Sequence, residues 1–147
     1  MRIAIGNDHG GLELADACRH YLHKAGGYTI IDCGTNDHVS VDYPLYATRV
    51  TELITNGEAE YGLLVCGTGI GVSIVANRQK GIRCGLCTEV TMAKLTRQHN
   101  DANILAMGGR ITGIGSGLDI LKTFLDTAFE GGRHQSRINQ IDMEHVL

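Results

Sequence analysis

The sequence predicts a single-domain α/β protein with a five-stranded parallel sheet, helices on both faces and a C-terminal helical arm. Two observations carry this prediction. Short apolar runs alternate with helix-period segments along the chain, and four of the five runs end in glycine. Strands that are apolar throughout are typical of parallel sheets, whose two faces are both covered. Strands alternating with helices in this way favour an open, doubly wound (Rossmann-like) sheet.

The predicted strands are short and rich in β-branched or aliphatic residues; they span residues 2–6, 28–34, 61–67, 82–88 and 102–108. Helices are predicted where apolar residues recur at i, i+3 and i+4. Such positions include Leu14, Cys18, Leu22; Tyr46, Val50, Leu53; and Leu118, Leu121, Phe124. Pro44 opens the second helical segment, where a first-turn proline is tolerated.

The C-terminal part of the chain has a different character. After residue 129 it is polar with a weak amphipathic pattern. We expect one domain over 1–147, with an arm over about 130–147 that packs on a partner subunit. A frayed surface helix is the alternative for this arm.

Composition excludes several classes of function. The chain has 147 residues, of which 43% are hydrophobic and 20% charged, and its net charge is −3. No basic stripe is visible, which argues against nucleic acid as the principal partner. The first residues form a strand instead of a signal peptide, and no apolar run is long enough for a bilayer span. We therefore expect a cytosolic protein that does not bind membranes.

The five cysteines follow no disulfide framework. Cys84 and Cys87 form a C-x-x-C, but a structural zinc site needs four ligands. If both lie on a strand, they point to opposite faces of the sheet. Small buried side chains are therefore the favoured interpretation of this pair.

Polar and reactive residues follow the predicted strands. In open parallel sheets, ligands bind outside the carboxyl ends of the strands. The candidates that follow strands one, three and five, or close the fourth helix in "RQHND", are Asp8, His9, Cys66, Thr68, Arg110, His99 and Asn100. We expect these residues to meet at one edge of the sheet.

The loop Gly67–Ser73 carries the strongest signal. It follows a strand and opens a helix, so its N–H groups should converge where the helix dipole favours an anion. Gly67, Gly69 and Gly71 fit neither the dinucleotide fingerprint nor a P-loop, which makes nucleotide binding the second choice. A plain turn would need fewer glycines. A thiolate at Cys66 would be stabilised by the same amides and could act as a base or a nucleophile; a buried filler is the alternative.

Histidines and arginines supply further candidates. His9, His99 and His134 each stand beside other polar candidates, so we expect them to converge on one crevice. Arg133 and Arg137 are four apart and share one face if the arm is helical, where two guanidiniums match a phosphate. Ordinary surface salt bridges are the alternative for this pair. His20 and His23 have the spacing of metal ligands, but no third ligand is evident, so no metal site is predicted.

These residues together resemble the type B ribose-5-phosphate isomerase family, which also contains allose-6-phosphate and galactose-6-phosphate isomerases. The ordered motifs over residues 2–138 are "DHGG", "DYP", "CGTGIG", "AN", "GIR", "RQHND", "N-x-L-A-x-G-x-R" and "EGGRH…R". The resemblance implies interconversion of ribose 5-phosphate and ribulose 5-phosphate through an enediolate, with no cofactor. Isomerisation of a six-carbon sugar phosphate is the alternative. A non-catalytic sugar-phosphate-binding protein and an enzyme with a covalent Cys66 nucleophile are the rival classes.

The resemblance also implies a role for each residue. Cys66 would carry the proton between C2 and C1, the amides of Gly67–Ser73 would stabilise the enediolate, and Asn100 would line that region. Ring opening would involve Asp8, Thr68 and His99, with His134 ranked second. The phosphate would be held by His9, Arg110, Arg133 and Arg137, and Tyr43 would border the sugar.

The resemblance further implies a homodimer or tetramer whose site lies between subunits, with His99, Asn100 and Arg110 serving the partner's Cys66. Two positions distinguish this chain from relatives. Val72 stands where some of them carry a catalytic glutamate, so this chain belongs with the cysteine type. Asn7 stands where close relatives often have cysteine or serine.

Overall fold

Strands and helices alternate along the chain in a computed structural model that describes residues 1–143. The strands are β1 (Arg2–Asn7), β2 (Thr29–Asp32), β3 (Tyr61–Cys66), β4 (Cys84–Leu86) and β5 (Ile104–Gly108). The helices are α1 (Leu12–Ala25), α2 (Tyr43–Thr55), α3 (Ile70–Ala76), α4 (Val90–Asn100), α5 (Ile114–Asp126) and α6 (Arg133–Ile138). The predicted fold class is confirmed.

The strands form one parallel sheet in the order β2-β1-β3-β5-β4. The chain leaves β3, forms β4 at the edge, and then returns to insert β5 between them. In the register of the two central strands, Gly62 lies opposite Ile104 and Cys66 opposite Gly108. The carboxyl ends of β1, β3 and β5 are therefore neighbours in the middle of the sheet.

Each face of the sheet is covered by a separate apolar cluster. Successive residues of β3 alternate between the faces, as the pleat of a strand requires. Leu63 and Val65 belong to the cluster formed with α1 and α5, whereas Leu64 and Cys66 belong to the cluster formed with α2 and α3. Fully burying an aliphatic side chain contributes roughly 1.5–3 kcal/mol. These two clusters hold the central strand, and with it Cys66, in a fixed position.

The two edge strands differ from the prediction. Strands β2 and β4 are shorter than residues 28–34 and 82–88, and their residues are mostly half-buried instead of buried on both faces. The reason is the strand order, which leaves each with a neighbour on one side only. Cys84 packs with the α2–α3 cluster and Cys87 with the α1–α5 cluster, on opposite faces as predicted.

The C-terminal arm is helical over α6, which packs against α4 and buries His134. Turns continue to Met143, and positions 144–147 of the predicted arm lie outside the described residues. Among residues 1–143, no helix combines the length and the apolar character that a membrane crossing requires.

Candidate active site

Three loops meet at the carboxyl edge of the sheet, after β1, β3 and β5. The N–H of Gly109 donates to the carbonyl of Cys66 at 2.8 Å, and the N–H of Arg110 donates to that of Gly67 at 2.9 Å. A Cβ added at Gly11 would lie 2.2 Å from the carbonyl oxygen of Val65, so only glycine permits this approach. The first helix therefore begins directly against the end of the central strand.

Cys66 ends β3 and is 5% exposed as a residue. The N–H of Gly69 donates to its sulfur at 3.1 Å. Gly69 has φ 78°, and a Cβ there would lie 2.5 Å from Leu86 and 2.8 Å from the Met107 backbone. This contact places the sulfur in the loop of amides that follows β3. The loop geometry thus supports proton-transfer or nucleophilic chemistry at Cys66.

The other four cysteines have raised pKa values. All five are free thiols. Burial raises the pKa of Cys18 and Cys87 to about 12, and it also raises the pKa of Cys33 and Cys84. These four thiols stay protonated at neutral pH and serve as packing groups.

In the remainder of the Gly67–Ser73 segment, Thr68 belongs to the loop, whereas Gly71 and Ser73 belong to helix α3. Thr68 is exposed, and its hydroxyl accepts the N–H of Ile70 at 3.2 Å. The ring of Tyr43 lies over Gly71, where an added Cβ would approach it to 2.7 Å. Ser73 requires a correction, because its N–H donates to Gly69 and its hydroxyl donates to Ile70 at 2.8 Å. Since both groups serve the helix, Ser73 does not belong to the anion-binding loop.

Asp8 and His9 approach from β1. One carboxylate oxygen of Asp8 accepts the N–H groups of Gly10 and Gly11 at 2.9 and 3.0 Å. The Nδ1 atom of His9 accepts the N–H of Val41 at 3.2 Å, which leaves Nε2 for another partner.

A cavity of about 280 Å³ lies between His9, Glu13, His38 and Arg110. His38 was missed by the sequence analysis, because no motif marks it and only the path of the β2–α2 loop brings it here. Arg110 also departs from expectation, since its side chain lies beside Gly67 of its own chain.

His99 and Asn100 lie at the opposite edge of the sheet. Helix α4 begins after β4 and ends before β5, so its last residues stand near the amino ends of the strands. The two edges are separated by the length of a strand, which is about 13 Å from Ile104 to Gly108 in β5. The prediction that His9, His99 and His134 converge on one crevice is therefore wrong within a single subunit.

His99 and His134 form a stacked pair with ring centroids 4.3 Å apart and planes 13° apart. One carboxylate oxygen of Glu130, a residue that the sequence analysis did not select, lies 3.6 Å from Nε2 of His134 and 4.0 Å from that of His99. Burial and the neighbouring His99 lower the pKa of His134. The lowered pKa favours the neutral form of the His134 imidazole.

The same three side chains have the chemistry of metal ligands, with donor atoms within 4.8 Å of one another. An imidazole binds an ion in the plane of its ring. Because the two rings are stacked, one ion cannot lie in both planes unless a ring turns. The arrangement as it stands fits proton chemistry better than metal binding.

Arg133 and Arg137 are exposed, and their spacing of four residues places them on one face of α6. Within residues 1–143, no carboxylate lies within 4.0 Å of either guanidinium. The described contacts therefore give no support to the alternative of ordinary salt bridges. The pair is available to an external anion.

The family profile described as Ribose/Galactose Isomerase matches residues 3–141. The chain belongs to the ribose/galactose isomerase family. Ribose-5-phosphate isomerase B of Escherichia coli is 43% identical over 141 residues, covering 95% of this chain and 93% of the relative. Galactose-6-phosphate isomerase subunit LacB of Clostridium acetobutylicum is 39% identical over 138 residues, covering 94% of this chain and 79% of the relative.

Solved structures agree with this membership of the ribose/galactose isomerase family. Ribose-5-phosphate isomerase B of Clostridium thermocellum superposes with a TM-score of 0.95 at 47% identity, covering 97% of this chain and 95% of that one. The Thermotoga maritima ribose 5-phosphate isomerase gives 0.93 at 48% identity, with 96% and 97% covered. The resemblance predicted from the motifs is confirmed, and with it the prediction of a sugar-phosphate isomerase.

In this isomerase family member, the candidate residues form two groups. The carboxyl-edge group comprises Asp8, His9, Tyr43, Cys66, Gly67, Thr68, Gly69, Gly71 and Arg110. The amino-edge group comprises His99, Asn100, Arg133, His134 and Arg137. A single chain does not bring the two groups together.

Proposed function

We propose that the chain is a type B ribose-5-phosphate isomerase that interconverts ribose 5-phosphate and ribulose 5-phosphate. The observation that carries the proposal is the sulfur of Cys66, which stands at the end of the central strand and accepts the N–H of Gly69 at 3.1 Å. Two relatives, 43% and 47% identical to this chain, are named ribose-5-phosphate isomerase B, which supports the choice of substrate.

The chemistry follows from this placement. Once the furanose ring is open, the Cys66 thiolate removes the proton from C2, and the electron pair moves toward the C1 carbonyl to give an enediolate. The Cys66 thiol, whose proton can exchange with solvent, then protonates C1 while the hydroxyl proton of O2 passes to O1. The product is the ketose, and no hydride acceptor is required. A positioned base contributes roughly 10²–10⁴-fold to the rate. A donor aimed at the developing oxyanion contributes about 2.7–4 kcal/mol.

We further propose that two subunits build each site. The carboxyl-edge group of one subunit would face the amino-edge group of another, so that His99 of the partner opens the ring and Asn100 of the partner lines the enediolate region. Phosphate would lie between His9 and Arg110 of one subunit and Arg133 and Arg137 of the other. This pairing corrects the assignment of Arg110 to the partner's cysteine.

Exposed apolar side chains on α3 and α4 are candidates for the subunit contact. Ile70 and Ile74 stand one turn apart on α3, and each is more than half exposed. Met92 and Leu95 on α4 are each 40% exposed. Exposed large apolar side chains can belong to an interaction surface.

A six-carbon sugar phosphate is the second candidate substrate. The match to a galactose-6-phosphate isomerase subunit supports it. The same thiolate and loop would perform the same proton transfer, so the candidates differ only in the length of sugar that the cavity admits.

The test is an isomerisation assay in D₂O with ribose 5-phosphate, allose 6-phosphate and galactose 6-phosphate. We expect ribose 5-phosphate to have the highest kcat/KM and to gain deuterium at C1 or C2. Cys66→Ala should lose turnover but still bind the sugar phosphate, whereas the matched variant Cys33→Ala should keep its activity. Turnover by Cys66→Ala at the wild-type rate would refute the role of Cys66, and a preferred hexose phosphate would replace the substrate.

A further inference from the structure

We propose that Asp101 acts with Arg83 and Arg97 as a clamp that positions His99 and Asn100, the last two residues of α4. The inference rests on the proposed function, because it concerns residues that would serve the partner's Cys66. The three side chains touch no reacting atom in this scheme. They are positioning residues, and we refer to them as the Asp101 clamp.

The backbone at Asp101 is unusual. It caps the C-terminus of α4 with φ 44° and ψ 45° and is the one residue other than glycine with a positive φ in residues 1–143. Glycine or asparagine is the usual residue at such a position. A carboxylate there also opposes the negative end of the helix dipole. Because an aspartate is unfavourable here for two reasons, we infer that the contacts of its carboxylate account for its presence.

Asp101 is held by two arginines. One carboxylate oxygen accepts Nη1 of Arg97 at 2.8 Å, and the other accepts Nη2 of Arg83 at 3.1 Å. Nε of Arg83 also donates to the carbonyls of Asn100 at 2.9 Å and Asp101 at 3.1 Å. The Arg83 side chain therefore binds the main-chain carbonyls at the end of α4 and the side chain of the capping residue Asp101.

Arg97 anchors the clamp in the interior. Its side chain is 5% exposed, and Nη1 also donates to the carbonyl of Ala102 at 2.7 Å. Its other nitrogens donate to the carbonyl of Thr127 and the hydroxyl of Tyr61. The guanidinium carbon lies 5.0 Å from the ring centroid of Tyr61. Because these partners hold the Arg97 guanidinium in place, its ion pair with Asp101 restricts the movement of the Asp101 carboxylate.

The clamp brackets the two residues that the site requires. His99 and Asn100 lie between Arg97 and Asp101 in sequence, in the last turn of a helix, where helices fray. A displacement of about 1 Å from the reactive geometry can reduce a rate by about 10²-fold. Fixing this turn before the subunits meet would keep His99 in the orientation needed for ring opening.

Two substitutions at Asp101 test the clamp. Asp101→Gly adopts the left-handed backbone without strain but removes both ion pairs. Asp101→Asn tolerates this backbone and keeps the side-chain shape without the charge. The matched control Asp126→Asn removes a carboxylate from the exposed Lys122–Asp126 pair on α5. We expect kcat to fall about 10- to 100-fold in Asp101→Gly and less in Asp101→Asn. Because Arg133 and Arg137 lie on another helix, KM should stay within about threefold.

The activity measurements are read at matched folded and dimeric fractions, measured by circular dichroism and light scattering. A kcat for Asp101→Gly equal to that of Asp126→Asn would overturn the clamp. Amide hydrogen exchange at His99 and Asn100 is the second readout and is independent of turnover. It should be at least tenfold faster in Asp101→Gly, and unchanged exchange would also overturn the clamp. If the wild type isomerises no sugar phosphate, the proposed function fails and hydrogen exchange alone decides the clamp.

Discussion

Adding one methyl group at Gly69 tests how tightly the catalytic loop is held. Gly69 has φ 78°, a conformation that side chains with a Cβ rarely adopt. The new Cβ would lie 2.5 Å from Cδ1 of Leu86 and 2.8 Å from the carbonyl carbon of Met107. The leucine tip can move, but the backbone of β5 cannot without disturbing the sheet. We therefore expect Gly69→Ala to destabilise the fold.

The magnitude follows from two separable contributions. The left-handed backbone costs a residue with a Cβ about 1–2 kcal/mol, and overpacking a dense interior costs about 1–3 kcal/mol. The sum for Gly69→Ala is about 2–5 kcal/mol. Gly57→Ala is the matched control, because Gly57 has φ 73° and nothing lies within 4 Å of an added Cβ. It should show only the backbone contribution of about 1–2 kcal/mol.

Equilibrium urea unfolding at one fixed protein concentration measures the free energy of unfolding of both variants, and thermal unfolding measures their melting temperatures. At roughly 2–4 °C per kcal/mol for a domain of this size, the melting temperature should fall by about 4–20 °C in Gly69→Ala and about 2–8 °C in Gly57→Ala. The folded fraction of Gly69→Ala should also lose turnover, because displacing the loop moves the N–H that contacts the Cys66 sulfur. Equal destabilisation of the two variants would refute the argument that Leu86 and Met107 confine the loop.

Three further predictions concern the phosphate group, the histidine pair and the thiols. Arg137→Ala should raise KM for ribose 5-phosphate roughly 10- to 100-fold at little cost to kcat, since a charged hydrogen bond contributes about 1.5–3 kcal/mol; an unchanged KM, as expected for the control Arg49→Ala, would remove Arg137 from the site. Burial and the neighbouring His99 lower the pKa of His134 below its usual value of 6.5. As the pH falls, the unfolded chain therefore takes up this proton at a higher pH than the folded chain does. Its contribution to stability should be complete above that pH and decline as pH falls through the lowered pKa; urea midpoints that decline just as steeply in His134→Gln would contradict this. Iodoacetamide at pH 8 should modify Cys66 before Cys18 or Cys87, whose pKa burial raises to about 12. Peptide mass spectrometry checks the order, and earlier labelling of either buried thiol would contradict it.

Local pattern was enough to predict most of the fold. The apolar runs, the helix-period spacing and the glycines that end the strands mark each element, because they reflect short-range packing and turn geometry. The place of Cys66 at the end of the third strand follows from the same signals. The shortening of β2 and β4 was not predictable, because nothing local to those runs says which strands lie at the sheet edges.

Strand order is the feature that the pattern could not supply. The insertion of β5 between β3 and β4 depends on long-range pairing, and it places Arg110 beside Gly67 of its own chain. The direction of α4 then carries His99 to the other edge of the sheet. The prediction that Ser73 belongs to the anion-binding loop was wrong for a local reason. Helix α3 begins at Ile70, so the Ser73 amide donates to the carbonyl of Gly69 within the helix.

Mixing subunits is the most direct test of a site built from two chains. Cys66→Ala and His99→Ala variants, unfolded and refolded together in equal amounts, should form mixed dimers as about half of the population. Each mixed dimer then has one site with both residues intact, so about a quarter of the wild-type activity should return. Activity no greater than the sum of the separately refolded variants would contradict the claim that Cys66 of one subunit works with His99 of the other.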